Sequence, residues 1–484
     1  MTLASAMQTA NSIFRNTGEQ TSIISKNIQN AGNANYVRRS AVIMTSDAGA
    51  SFISTDRSQN NALQRQMFLS TSQSTAQETL LDGLEFLKSA LGGNDNELAP
   101  STLLVEMRDK LAAFAARPGE VSLAETAISA AGDLATSINK TASAIQKLRL
   151  DSDTEIAQQV SELNTLLAKF ETVNNTVVSQ TASGDDPNDA LDQRDALIKS
   201  ISAIIGVNTV TRDNNDVVLY TSEGITLFER VPRAVTFAQT AGYAAATVGN
   251  SLYIDGTAVG AGSGGDTTAR GSLGALLQLR DDIAPKFQIQ LDELARGLVE
   301  AFSETIPATP GSAKPGLFTW SGGTTPTTGV VVPGISATFQ VNSAVLTSKG
   351  GNPMLLRDGG INGATYVRNT SGGSAYSDLL EEYAGNLEED RTFAASSMLD
   401  TSSNLFEFSS DSVGWIEGLR SQATTAYENK TAMLSRATEA YSNETGVSLD
   451  EELSLLLDVE QSYKASTKLV SAIDEMLQAL LNMV

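Results

Sequence analysis

The side chains best suited to acid/base chemistry in this chain are its clustered carboxylates: Asp185-Asp186, Asp192 with Asp195, Asp281-Asp282, Glu381-Glu382 and Glu388-Glu389-Asp390. Two carboxylates converging on one pocket can hydrolyse a glycosidic bond, one as acid and the other as base or nucleophile. With no histidine and no cysteine in the chain, acid/base work would have to rest on these carboxylates. Imidazole acid/base chemistry, thiol nucleophiles, Ser-His-Asp triads, disulfides and zinc sites built from Cys or His are therefore excluded. Each carboxylate cluster also has a structural reading as a cap, a first-turn charge or a solvated helix face, with Glu388 and Arg391 at pairable spacing. Spacing alone brings no two of them to one pocket, so no catalytic, cofactor-binding or metal-ligating residue is assigned. The loop "GSGGDTTARGSLG" lacks the Lys-Ser/Thr of a Walker A motif and the setting of a dinucleotide fingerprint, and reads as a flexible linker. "RDNNDV" is far shorter than an EF-hand and lacks its terminal bidentate Glu, so it reads as a hairpin turn.

These residues must be positioned by a chain of 484 residues, 41% hydrophobic, long enough for about two to four domains with substantial cores. A formal charge of -23, spread along the sequence, would be repelled by nucleic acid and by anionic lipid. The first twenty residues have no basic start followed by an apolar run, so they do not read as a secretory signal peptide. No stretch approaches the roughly 18 apolar residues of a membrane span. The expectation is a protein that stays in the cytoplasm or leaves by a route that reads no cleavable signal. The absence of Cys also suits a chain that travels unfolded or works outside the cell unstapled.

Both ends of the chain carry helical heptads. Leu3, Met7, Ala10, Phe14, Thr17, Thr21, Ile24 and Ile28 follow alternating steps of four and three, the seam of a helix that meets another helix. Gly18 and the small or polar seam positions weaken it, so the helix needs a partner. The C-terminal stretch from Gly446 to Val484 offers one. Ser448 is placed to cap it, and Asp450, Glu451 and Glu452 suit the positive end of its dipole. Two seams then lie side by side: Leu456, Tyr463, Val470, Leu477, Leu481 and Val484 on one, and Val459, Leu469, Ile473, Met476, Leu480 and Met483 on the other. Together they are wider than one partner helix covers. One reading is the terminal helix of a globular bundle. The other is that the two ends pair and the spare seam contacts neighbouring molecules, with both ends disordered in the free monomer before about Ala34 and after about Gly446.

Between the ends, residues from about 60 to 205 read as long antiparallel helices, with Ile138, Ile145, Leu148, Ile156, Val160, Leu163, Leu167 and Phe170 at three and four spacing. Asp186 can cap a further helix, with Pro187 at its first position. From Val207 the period changes to two, predicting hairpins over about 207–262. A helix from about Leu273 to Glu304 follows. The Pro/Gly/Thr-rich stretch 306–376 reads as a small β-rich insertion on the surface. Helices resume at "YSDLLEEYAGNL" and continue to the end. The fold class is mainly α with a β part, in three domains: a terminal coiled coil from 1–35 with 445–484, a helical domain from 36–305 with 377–444, and an outer insertion over 306–376.

Four stretches together resemble the flagellar hook-associated protein 1 family, which forms the hook-filament junction. The first is "SKNIQNAGNANYVRR", where Asn27, Ile28, Asn30, Ala31, Tyr36, Arg38 and Arg39 are similar to the Asn-Asn-Ile-Ala-Asn and Pro-Gly-Tyr-x-Arg elements of flagellar axial proteins. Here Asn35 stands where Gly is usual, and Asn is the non-Gly residue best able to take a left-handed position. The others are "PNDALDQRDALIKSISAIIGV", "GSLGALLQLRDDIAPKFQIQLDELARGLVEAF" and "GVSLDEELSLLLDVEQSYKASTKLVSAIDEML". The resemblance implies a structural adaptor with no catalytic residue and no cofactor, exported unfolded through the flagellar type III apparatus to an extracellular position. It also implies, as partners, further copies of the chain, the hook protein, the second hook-associated protein and a cytoplasmic chaperone on the C-terminal helix. The implied assembly interface is Leu3, Met7, Ala10, Phe14, Ile24, Ile28, Leu456, Val459, Tyr463, Leu469, Val470, Ile473, Met476, Leu477, Leu480, Leu481 and Val484. The readings that compete with it are another flagellar axial subunit, and an extracellular His-free carboxylate hydrolase or binding module.

Overall fold

The computed structural model describes residues 3–45, 51–306, 309 and 311–482, with side chains over 7–44, 53–306, 309, 311–479 and 482. Its principal helices are α1 (Leu3–Asn30), α2 (Asn61–Ala90), α3 (Pro100–Ala116), α4 (Val121–Ser183), α5 (Asn188–Ile204), α6 (Ser272–Gln278), α7 (Ala284–Ala301), α10 (Asp378–Glu388), α11 (Leu405–Thr445) and α12 (Leu449–Leu481), with one-turn helices α8 (Ile335–Thr338) and α9 (Leu355–Asp358) between α7 and α10. The chain sorts into two compact units, one from residues 1–73, 163–234 and 430–484, the other from 74–162 and 235–429. Helices α2, α4 and α11 contribute residues to both.

In the first unit, α1 lies against α12 and leads into an antiparallel ribbon, β1 (Arg39–Thr45) with β2 (Ser51–Arg57), in which Arg39 faces Arg57. Near its base, buried or half-buried Arg39, Ala41, Ile53, Thr55 and Arg57 alternate with exposed Ser40, Val42, Ser54 and Asp56, so a strand pair stands where the expectation from residue 36 onward is a helical domain. Helix α5 begins at Asn188, one residue later than expected, with Asp186 Oδ1 accepting the Asn188 N–H at 3.0 Å. The antiparallel sheet β3 (Val207–Thr211), β4 (Val217–Thr221) and β5 (Thr226–Phe228) follows. Its first turn puts Asn214 and Asn215 at φ 55° and 58°, so "RDNND" is a hairpin turn built on two left-handed asparagines. Phe170 of α4 meets Phe228 edge-on at 4.9 Å.

The second unit is built round α7, whose Phe287, Leu291, Leu294 and Leu298, with Phe302 just past its end, share one core with α3, α4, α10 and α11. All eight apolar positions singled out along α4, from Ile138 to Phe170, are buried, the last three of them within the first unit. The stretch 306–376 differs from the expected surface insertion. Among its described residues it carries one short ladder, β9 (Phe318–Thr319) with β10 (Gln340–Val341), and it sends Phe318, Ile335, Phe339, Val345 and Leu356 into the same core as α7. Phe302, Phe318 and Phe339 form an aromatic chain with centroid spacings of 5.3 and 4.7 Å. Two further ladders lie in this unit, β6 (Val235–Thr236), β7 (Tyr253–Ile254) and β8 (Thr257–Ala258) in one, β11 (Arg391–Thr392) and β12 (Ser402–Ser403) in the other.

The Gly-rich loop before α6 is held, not free. Gln77 donates to Gly265 O at 2.8 Å and accepts the Thr267 N–H, while Gln278 donates to Gly264 O. The expected helix from Leu273 is interrupted at Leu279–Ile283 by one π turn. There Arg280, fully buried, donates to Asp153 at 2.6 Å, to Asp281 at 2.9 and 2.7 Å, and to Asn250 O at 2.7 Å. A Cβ on Gly249 would lie 2.7 Å from this guanidinium, so only glycine lets the backbone pass. Removing one partner of a buried ion pair strands the other charge. Asp153→Ala is therefore expected to cost roughly 3 kcal/mol or more in denaturant titration.

Candidate assembly interface

The seam between α1 and α12 has one regular repeat on the α12 side. Glu452, Leu456, Val459, Tyr463, Ser466, Val470, Ile473 and Leu477 follow steps of four and three, with Glu452, Ser466 and Ile473 buried and Leu456, Val459, Val470 and Leu477 half-buried. Tyr463 lies at the rim, its ring edge-on to Phe14 at 5.2 Å. The two seams read from the sequence thus merge into one, and Leu469 and Met476 fall outside it, each about half exposed at 52% and 50%. On α1 the facing residues are Ala10, Thr17, Ile24 and Asn27, flanked by half-buried Ile13, Phe14, Gln20 and Ile28. Met7 and Thr21 are exposed; Thr21 instead turns its hydroxyl to Thr17 O at 2.7 Å. Leu3, Leu480, Leu481 and Val484 lie outside the residues with described side chains.

The polar end of this seam is where the asparagine-rich stretch acquires a function. Asn27 is buried and all of its amide is used. Its Nδ2 donates to Arg39 O at 2.8 Å and to Glu452 Oε2 at 3.0 Å, while Oδ1 accepts from Tyr36 Oη at 2.8 Å and from the Arg39 N–H at 3.2 Å. Only a side chain that both donates and accepts can fill this place, which rules out Asp and Leu alike. Arg38 Nε donates to Glu452 Oε1 at 2.7 Å, and its backbone N–H donates to Thr445 O at 2.8 Å. The loop from Asn30 to Arg39 is thereby bound to the start of α12. Asn30 donates only to Lys26 O, within its own helix. Asn35 is not left-handed: among the described residues, positive φ outside glycine occurs at Asn96, Asn214, Asn215, Asp255 and Met398. The turn is made instead by Asn33, whose Oδ1 accepts the Asn35 N–H at 3.1 Å.

From Arg39 the network continues into α5. Arg39 Nη2 donates to Asp189 Oδ1 at 2.5 Å and Asp192 Oδ2 at 3.1 Å. Across the ribbon, Arg57 donates to Asp192 Oδ1 at 3.0 and 2.8 Å and to Asp195 Oδ2 at 2.7 Å. Asp189, Asp192 and Asp195 recur every third residue, so one stripe of α5 meets both arginines. Burial pushes the Asp192 carboxyl up, against the pull of Arg57 and Arg39. Burial works against the charge on Arg57 too, but Asp195 and Asp192 hold that guanidinium above its ordinary value. Burial also pushes Tyr36 up to about 12.

The sequence reading found Asn27, Tyr36, Arg38 and Arg39 and had Asp192 and Asp195 in hand as a carboxylate pair. Arg57 carried no such reading, and Glu452, legible as a first-turn charge of α12, was not legible as the partner of Asn27 and Arg38. Three of the other carboxylate clusters have local partners. Asp185 accepts from Ser183, Asp282 pairs with Lys286, Glu381 accepts from Ser377 and Glu382 pairs with Arg368. Arg391 pairs with Glu300, not with Glu388.

Two family models match this chain. The model of the flagellar hook-associated protein FlgK helical domain matches residues 84–306, and the model of the flagellar basal body rod FlgEFG protein C-terminal region matches residues 438–483. Flagellar hook-associated protein 1 of Bacillus subtilis is 21% identical over 383 residues, 72% of this chain and 69% of that protein. The protein of the same name in Escherichia coli is 24% identical over 242 residues, 48% of this chain and 44% of that protein. These matches make the chain similar to the flagellar hook-associated protein 1 family. Its solved relative, the flagellar hook junction protein FlgK from Burkholderia pseudomallei, shares the fold with a TM-score of 0.55 at 14% identity, covering 78% of this chain and all but 1% of that one. The first of the two models takes in the Asp192 to Asp195 stripe and the second takes in the Glu452 seam.

Asn27→Asp removes both amide donors and sets a second carboxylate beside Glu452. The expected result is loss of amide-exchange protection from Tyr36 to Arg39 and a stability cost of roughly 2 kcal/mol or more. The alkaline limb offers a second check. Tyr36 holds its proton more tightly folded than unfolded, so its contribution is full below about pH 10 and is lost as pH rises through about 12. Tyr36→Phe should make the fall in stability between pH 10 and 12 shallower in denaturant titrations.

Proposed function

We propose that this chain is a structural subunit of the junction between flagellar hook and filament, self-assembling through its terminal helices after type III export. The observation that carries this reading is the unused apolar surface of α12. Leu449, Leu453, Leu455, Leu457, Leu469 and Met476 are all exposed on a helix whose seam is already occupied by α1. Leucines spread along so much of one helix, outside its only partner seam among the described residues, suit contacts with further helices in an assembly. The seam itself is thin, since its buried residues include Thr17, Asn27, Glu452 and Ser466, and such a pair gains stability when neighbours cover it.

In this role the chain is not an enzyme, and its place is extracellular, on the flagellum. Its partners are further copies of itself, the hook protein, the second hook-associated protein and, before export, a cytoplasmic chaperone held by the C-terminal helix. Among the described residues no helix is long and apolar enough to cross a membrane. The internal stretches around Asp192 and Arg280 favour this subunit over another axial one, because the rod-type match is confined to residues 438–483.

Labelling the protein on isolated flagella should place it between hook and filament; label along the filament or in the cytoplasm alone would overturn the reading. Leu469→Glu with Met476→Lys, at exposed positions, should leave the monomer within about 0.5 kcal/mol of its stability while abolishing filament attachment. Chains cut from about Ala479 should behave likewise. In the dilute monomer, amide exchange should be rapid before Ile24 and after Ser466, with protection confined to the part anchored by Asn27 and Glu452.

A further inference from the structure

Beside the anchor, two further arginines of the first unit, Arg65 and Arg194, lack among the described residues the carboxylate partners that Arg39 and Arg57 possess. A cleft of about 400 Å³ is lined by Arg57, Arg65 and Arg194 together with Asn61, Asn215 and Asp195. Arg194 is 6% exposed, yet its Nη1 donates only to neutral acceptors, Asn174 Oδ1 at 3.1 Å and Asn215 O at 2.5 Å, and its Nε has no partner. Arg65 donates to Asn61 O. Among the described residues neither Arg65 nor Arg194 has a carboxylate within 4.0 Å, whereas Arg39, Arg57, Arg280 and Arg296 all do.

A guanidinium taken out of water is costly unless an anion meets it. The neighbouring carboxylates are already engaged, Asp195 with Arg57 and Asp216 with Asn174 Nδ2 at 2.7 Å. Burial accordingly pulls Arg194 below its ordinary value. In a chain of net charge -23, two unpaired guanidiniums at one cleft are against the trend of the molecule. We propose that this cleft is an anion site that takes a carboxylate, with Arg194 and Arg65 as its charged donors. The geometry of arginine favours planar oxyanions held by two N–H groups. The carboxylate can come from an acidic side chain of a second copy or from a free small anion, and the chemistry at the cleft is the same.

The test uses the full chain, dilute and monomeric, titrated with citrate and with inorganic sulfate at constant ionic strength and followed by calorimetry. The second arm uses Arg65→Lys chains at concentrations where they assemble, treated with a carbodiimide that joins amines to carboxylates. A free-anion site gives saturable binding with one site per chain, weakened roughly tenfold or more by Arg65→Gln or Arg194→Lys, and unchanged by Arg108→Gln in the other unit. A site filled by a second copy gives an intermolecular amide at the introduced amine, lost on dilution and suppressed by citrate. The proposal is overturned if neither saturable binding nor that cross-link is found. It is equally overturned if binding survives both Arg65→Gln and Arg194→Lys unchanged.

Discussion

Asp192 accepts hydrogen bonds from Arg39 and Arg57 on its two oxygens, and this shared carboxylate joins the base of the ribbon to α5. A buried carboxylate is tolerable only when its charge is met and its lone pairs are filled, and two guanidiniums satisfy both conditions. Because Arg39 also receives Asn27 through its backbone, α1 is fixed by the same contact. Glu452 then brings in α12 through Asn27 and Arg38. Removing the carboxylate would leave Arg39 only Asp189 and Arg57 only Asp195 as carboxylate partners among the described residues, with none shared between the two strands, so four elements of the first unit meet at it.

This arrangement separates two tasks that a terminal coiled coil must perform. The base of the helix pair is fixed by charge-assisted hydrogen bonds, which are directional and specify one geometry. Further out, the seam holds small and polar residues such as Ala10, Thr17 and Ser466, and the apolar surplus of α12 is exposed outside the seam. The same helix is therefore fixed at its start and weakly committed along the rest of its described length. For a subunit proposed to be exported unfolded and ordered on arrival, a weak seam with apolar surface in reserve is the useful condition, since order comes from neighbours.

How much was legible in the sequence depended on the length of each signal. The apolar spacing along α4 runs for many turns, and every position read from it is buried. The hairpin at Asn214 and Asn215 was legible because left-handed turns select few residue types. The face of α12 was not, because two adjacent apolar stripes fit heptad spacing equally well, and only the partner helix decides between them. The ribbon was hidden by arginines at its base, whose charges met carboxylates distant in sequence. The stretch 306–376 read as a surface insertion because its few aromatics, Phe318 and Phe339 among them, carry no period, although they complete the core around Phe302. The π turn at Leu279–Ile283 leaves no composition signal, since it answers to the buried pairing of Arg280 with Asp153.

The measurement that bears most directly on the shared carboxylate is a double-mutant cycle between Asp192→Asn and Arg57→Gln, read by denaturant unfolding with amide exchange at β1. Coupled groups give single losses that do not add. The account predicts a coupling energy of about 1.5 kcal/mol or more, with protection of the ribbon base lost in either single variant. Additive losses, with the ribbon still protected when Asp192 is neutral, would contradict it.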